Sequence, residues 1–211
     1  MPDATAAATP RGLTPSQAIA KRALDVAVAV VALILGGWLI LLGAAASAMA
    51  HGGSGFFVQR RVGRHGATFP LLKLKTMRDG TGLDTTVTTA SDPRITRVGA
   101  FLRKTKLDEL PQFVNVLLGH MSLVGPRPDV PGFADRLAGD DRVVLSVAPG
   151  ITGPATLAYR HEEELLAGQE DPERYNREVI FPDKVRLNRA YVEDYVFWHD
   201  LVYLWRTLFG R

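Results

Sequence analysis

The chain has 211 residues, 46% of them hydrophobic and 22% charged, with no cysteine and a formal net charge of +3. That hydrophobic share excludes a disordered chain and fits one core-bearing domain plus an accessory element. The lack of cysteine excludes a disulfide framework and any thiolate metal or redox site. Residues 1–50 carry three Lys/Arg and two Asp/Glu, residues 51–130 twelve and six, and residues 131–211 ten and fourteen, so the basic charge is central. An anionic partner follows: nucleic acid, a membrane surface or a phosphorylated small molecule.

Residues 1–13, rich in Ala, Thr and Pro, read as a disordered tail. Thr14, Pro15, Ser16 and Gln17 have the form of a capping box with proline at the first helical position. Residues 26–50 then run without a charge, long enough for a membrane helix and too far from the N-terminus for a signal peptide. As one helix the run would reach roughly 38 Å, more than the hydrocarbon thickness. Gly36 and Gly37 near its middle permit a break. Both flanks are basic, with Arg11, Lys21 and Arg22 before the run and Arg60, Arg61, Arg64, Lys73 and Lys75 after it, which places both ends in the cytoplasm. A re-entrant hairpin breaking at the glycine pair satisfies both features; a straight span stays open.

Residues 56–61 and 68–77 read as strands around a turn at 63–66. Lys73 and Lys75 share a strand face, as a diphosphate site or a solvated edge would have it. Residues 79–93, rich in Gly, Thr and Asp, read as a flexible loop. Apolar Leu110, Phe113, Val114, Leu117 and Leu118 recur at helical spacing before Gly119, and Pro111 fits only a first turn. Asp108 and Glu109 therefore stand at a helix start, either as capping acids or as site carboxylates. Arg103, Lys104 and Lys106 precede them, and Arg127 sits in the stiff turn Gly125-Pro126-Arg127-Pro128. Carboxylates among cations are held ionised, ready to act as nucleophile or Mg²⁺ ligand, and phosphoryl transfer uses that combination.

The segment from His161-Glu162-Glu163-Glu164 to Glu178 reads as a solvated helix and loop. A helix restarts at Phe181-Pro182-Asp183 and runs towards the C-terminus. There Tyr195, Trp198, Leu201, Val202, Trp205 and Phe209 form an aromatic stripe, facing the core or lying at a membrane interface. Histidines 51, 65, 120, 161 and 199 have no pair at zinc-ligand spacing. No P-loop, dinucleotide fingerprint or nucleophile elbow is present. Nucleic-acid binding is disfavoured, because carboxylates interrupt the basic stretch beside the apolar run.

Several strings, in order, resemble the bacterial sugar transferases, the monotopic phosphoglycosyl transferases. They are Lys21-Arg22-Ala23-Leu24-Asp25, Phe57-Val58-Gln59-Arg60-Arg61-Val62-Gly63, Lys73-Leu74-Lys75-Thr76-Met77-Arg78, Asp92-Pro93-Arg94-Ile95-Thr96, Leu107-Asp108-Glu109-Leu110-Pro111-Gln112, Gly125-Pro126-Arg127-Pro128 and Pro149-Gly150-Ile151-Thr152-Gly153. The resemblance implies an α+β fold: a disordered tail (1–13), a re-entrant membrane helix-break-helix (14–52), and a mainly helical catalytic domain (53–211) with a small β-hairpin and interfacial amphipathic helices. It also implies transfer of a sugar 1-phosphate from a UDP-sugar to a polyprenol (undecaprenyl) phosphate at the cytoplasmic face of the bacterial inner membrane, the first membrane step of a cell-surface glycan. Asp108 would be the nucleophile, forming a phosphosugar-aspartyl intermediate with release of UMP, and Glu109 would assist with Mg²⁺, the two carboxylates being its ligands. Lys73, Lys75, Arg103 and Arg127 would hold phosphates, and a homo-oligomer is compatible. Gly36-Gly37 stands where relatives break the membrane helix at Ser-Pro, Lys75 where many have Arg, and Lys106 where a small hydroxyl residue is common. The rival reading is an inactive membrane-anchored binding or scaffold protein of the same fold; the intact Asp108-Glu109 pair favours the enzyme.

Overall fold

The computed structural model describes residues 12–79, 88–89 and 92–210. Most of the expected tail (1–13) and of the expected loop (79–93) lies outside the described residues. Helix α1 (Pro15–His51) begins with the expected capping box: the Thr14 hydroxyl accepts from the Gln17 amide at 3.3 Å, and the Gln17 side chain accepts from the Thr14 amide at 2.8 Å. It ends where Gly52 turns left-handed, at φ 69°. Between these caps the helix is continuous, about 55 Å long at 1.5 Å per residue, and Gly36 and Gly37 lie inside it. The expected break at the glycine pair is therefore not seen. Two glycines cost a helix only about 1 kcal/mol each, and α1 is buttressed on both sides of them. Lys21, Asp25 and Ala29 are buried on one side, and Gly43, Ala44 and Ser47 on the other. The stretch between leaves Val31, Ile34, Leu35, Trp38, Leu41 and Leu42 exposed.

Strands β1 (Phe56–Val62) and β2 (Thr68–Leu74) form the expected antiparallel hairpin, with Phe56 opposite Leu74 and Val62 opposite Thr68. Strand β2 contributes to two cores: Phe69 and Leu71 enter the main one, while Leu74 packs with Ala44 of α1 and Leu102. Helix α2 (Arg97–Thr105) is capped by the Thr96 hydroxyl, which accepts from the Gly99 amide at 3.0 Å. A 3-10 turn (Leu107–Glu109) and the short helix α3 (Gln112–Leu117) follow.

Strand β3 (Ser122–Val124) pairs in parallel with β4 (Gly150–Thr152). This contact needs glycine, since a Cβ at Gly150 would sit 2.1 Å from the Gly125 amide nitrogen. Helices α4 (Pro154–Ala158), α5 (Glu162–Ala167) and α6 (Pro172–Tyr175) come next. A π turn (Asn176–Ile180) then leads into α7 (Phe181–Glu193), and α8 (Phe197–Phe209) completes the chain. The expected single C-terminal helix is thus two, parted at residues 194–196.

The architecture is mixed helix and sheet, as expected of an α+β chain. The main core gathers Ala29 of α1, Val116 of α3, Leu123 and Val124 of β3, and Tyr191, Val192 and Tyr195 of the C-terminal region. A buried polar cluster ties α1 to that region. Lys21 Nζ lies 2.6 Å from Asp200 Oδ2, and the Tyr191 and Tyr195 hydroxyls donate to the same carboxylate at 2.7 and 3.0 Å.

Candidate active site

Helix α2 ends at Lys106, whose φ of 59° reverses the chain into the 3-10 turn that carries Asp108 and Glu109. Neither acid caps a helix: Pro111 stands at the N-cap of α3, with no side-chain cap bond. The capping alternative therefore does not account for them. Both face Lys73 of β2, whose ammonium lies 3.4 Å from Asp108 Oδ2 and 3.3 Å from Glu109 Oε1. Arg127 donates from Nη2 to the same Glu109 oxygen at 3.1 Å. Asp108 Oδ1 is buried and has no hydrogen-bonding partner among the described residues.

Two side chains that sequence reading did not single out hold this geometry. Asn115 of α3 donates to the Pro70 carbonyl at 2.8 Å and accepts from the Leu72 amide at 2.9 Å, completing the edge of β2 just before Lys73. Arg22 of α1 donates to the carbonyls of Val116 and Leu117 at 2.6 and 2.8 Å, satisfying the C-terminal end of the helix whose N-terminal approach carries the acids. The signal for Asn115 is an amide at a helical position that the apolar repeat around it leaves unexplained.

The two carboxyls differ in affinity for protons. Burial raises Asp108, and Lys73 only partly offsets it. At Glu109 burial acts in the same direction, but Arg127, Lys73 and Lys106 together outweigh it and hold the group well below the usual carboxylate range. The expectation that neighbouring cations keep both acids low is met at Glu109 alone, because only Glu109 also accepts a hydrogen bond from Arg127.

A cavity of about 780 Å³ opens at this pair, and Lys73, Arg103, Asp108, Glu109 and Arg127 line it together. Arg103 is ion-paired with Glu163 of α5. Lys75 stands apart: it lies beyond the end of β2, pairs with Asp79, and does not line the cavity. The strand ends at Leu74, so the alternation that put the two lysines on one face does not extend to Lys75.

The acidic segment expected to be a solvated helix instead forms part of the wall. Glu162 accepts from Lys184 of α7 at 2.6 Å, and Glu163 engages Arg103. The sequence signal was the charge balance itself, a surplus of acids in the last third matching the basic middle. Among the described residues no three His, Asp or Glu side chains cluster as a metal site. Asp108, with its unpartnered Oδ1, and the adjacent Glu109 are the carboxylates here that could ligate a Mg²⁺ ion.

The family model described as bacterial sugar transferase matches residues 16–210. The chain is 33% identical over 224 residues to the exopolysaccharide production protein ExoY of Rhizobium meliloti, covering 99% of this chain and 90% of that protein. It is 35% identical over 205 residues to the UDP-glucose:undecaprenyl-phosphate glucose-1-phosphate transferase of Caulobacter vibrioides, covering 94% and 73%. It is 34% identical over 207 residues to the galactosyl transferase CpsE of Streptococcus agalactiae, where 92% of this chain spans only 42% of the relative. Similarity across nearly the whole chain, including every element that builds the cavity, makes this protein a member of the bacterial sugar transferase family.

Proposed function

We propose that the protein transfers a sugar 1-phosphate from a UDP-sugar to a polyprenol phosphate such as undecaprenyl phosphate. The observation that carries this reading is Asp108: a buried carboxylate on a cavity wall, with one unpartnered oxygen, beside Lys73 and near Arg103 and Arg127. A carboxylate oxygen of Asp108 attacks the β-phosphorus of the donor. The bond from that phosphorus to the bridging oxygen breaks, and UMP leaves with the bridging oxygen. An oxygen of the lipid phosphate then attacks the phosphorus of the aspartyl phosphosugar, and the Asp108 carboxylate departs, leaving a polyprenyl diphosphate sugar.

Lys73, Arg103 and Arg127 supply positive charge where the diphosphate lies. For Arg103 this requires that the donor replace Glu163. Burial leaves Asp108 weakly solvated and reactive once ionised, while Glu109 stays charged and keeps Lys73 and Arg127 in place. Mg²⁺, held by Asp108, Glu109 and the phosphate oxygens, would neutralise charge on the diphosphate.

The lipid acceptor places the protein on a membrane, here its cytoplasmic face. The exposed apolar stretch of α1, and the exposed Trp198, Trp205 and Phe209 of α8, are suited to lie in that interface. Both ends of α1 dock on one catalytic body, which supports a monotopic arrangement over a span.

The test is UMP release from UDP-sugars with undecaprenyl phosphate and Mg²⁺. The wild type is expected to release UMP and to carry a phosphosugar on Asp108 by mass spectrometry when the lipid is omitted. Asp108→Asn is expected to lose both, with a rate at least about 10³-fold lower. Equal release by the variant would overturn the mechanism, and turnover without an adduct would point to direct attack by the lipid.

A further inference from the structure

Helix α7 turns one face to the cavity: Phe181, Lys184, Val185 and Asn188 recur at helical spacing along its wall. Asn188 is only 7% exposed, yet its side-chain oxygen is buried and finds no hydrogen-bonding partner among the described residues. The same holds for the Thr156 hydroxyl on α4, the helix packed against α7, and Thr156 also lines the cavity. Folded proteins pair the great majority of their buried polar atoms, so two unpaired groups on one cavity wall require an explanation.

Their surroundings decide what they can receive. Lys73 and Arg127 stand at the Asp108–Glu109 pair, whereas Lys184, one turn from Asn188, is already neutralised by Glu162, and Arg160, four residues after Thr156, is engaged by the carbonyls of Arg206 and Gly210. Val144, Leu145, Ala155 and Val185 make the rest of that wall apolar. An apolar wall with two neutral hydrogen-bonding groups fits an uncharged, ring-shaped group bearing N–H and O–H functions rather than a phosphate.

We propose that Asn188 and Thr156 are substrate-binding residues that hold the uncharged end of the nucleotide-sugar donor, the nucleoside or the sugar, while the diphosphate reaches towards Asp108. This rests on the transfer reaction proposed above. It also carries a signature that a structural role would not: a buried amide reserved for a ligand is a burden on the free protein.

The experiment uses the full chain in nanodiscs. Asn188→Leu and Thr156→Val are compared with wild type by thermal melting and by calorimetric titration with UDP, UDP-glucose, UDP-galactose and UDP-N-acetylglucosamine. The expected result is a Tm equal to or above wild type, with affinity for at least one UDP-sugar lowered about tenfold. An equal loss for UDP alone assigns the wall to the nucleoside; unchanged UDP affinity with weakened UDP-sugar binding assigns it to the sugar. Affinities within twofold of wild type for all four ligands in both variants would overturn the inference and leave the transfer reaction standing. Wild-type protein that binds none of them and releases no UMP would overturn both.

Discussion

Asp108 and Glu109 are neighbours in the chain, yet burial governs one and cations the other, because Arg127 hydrogen-bonds Glu109 and reaches Asp108 only through space. Asp129, two residues after Arg127, shows burial prevailing more strongly. Its carboxyl is pushed up to about 6, a burial effect that Lys184, Arg61 and Arg127 only partly offset. An acid whose proton is held more tightly in the folded chain than in the unfolded one costs stability as it ionises. Stability contributed at this site is therefore greatest below about pH 4 and falls as pH rises to about 6. The cost at neutral pH is at most about 3 kcal/mol. Asp129→Asn is expected to raise Tm at pH 7.5 and to match wild type near pH 4. Melting curves at both values check this, and equal Tm at pH 7.5 would count against it.

At the scale of elements, the site depends on how α1 is seated. Arg22 satisfies the end of α3, and the adjacent Lys21 enters the buried cluster of Asp200, Tyr191 and Tyr195. Removing one partner of a buried ion pair strands the other charge, typically at about 3 kcal/mol or more. Lys21→Met is expected to lower stability by about that amount, while Lys21→Met with Asp200→Asn recovers a large part, since asparagine still accepts from the tyrosines. A double-mutant cycle on thermal unfolding reads the coupling, and additive losses would show that the pair does not hold α1. Helix α8 uses its two sides differently: Asp200, Tyr203 and Leu204 meet the body, while Trp198 and Trp205 stay outside. Of the stripe read from spacing, Trp198, Val202, Trp205 and Phe209 are turned outward, while Leu201 is half-buried and Tyr195, which precedes α8, is buried.

For the molecule as a whole, residues from both halves of the continuous α1 are buried against the body, and the monotopic arrangement proposed above expects residues before and after the apolar run on one side of the membrane. The chain has no cysteine, so single cysteines report position cleanly. Ala18→Cys and Gly53→Cys, both at exposed positions, are expected to react with a membrane-impermeant maleimide only after the cytoplasmic side is opened. Labelling of either in intact cells would favour a span. The charge distribution acts at the same scale: Glu163 of the acidic last third meets Arg103 of the basic middle, and Glu162 pairs with Lys184 of α7 beside it on the cavity wall.

Beyond the family resemblance, which named Asp108, Glu109, Lys73, Arg103 and Arg127 as site candidates, the sequence by itself determined the long apolar helix and its capping box, the β-hairpin and the central basic charge. Each is a local pattern of spacing, capping or charge that short-range physics imposes. Only the tertiary structure decided that Lys75 leaves the site, that Asn115 and Arg22 position α3, and that Asn188 and Thr156 face the cavity unpaired. It also decided that α1 passes through Gly36-Gly37 unbroken. These outcomes depend on contacts between residues distant in the chain, where packing outweighs the small local preferences that periodicity and propensity record.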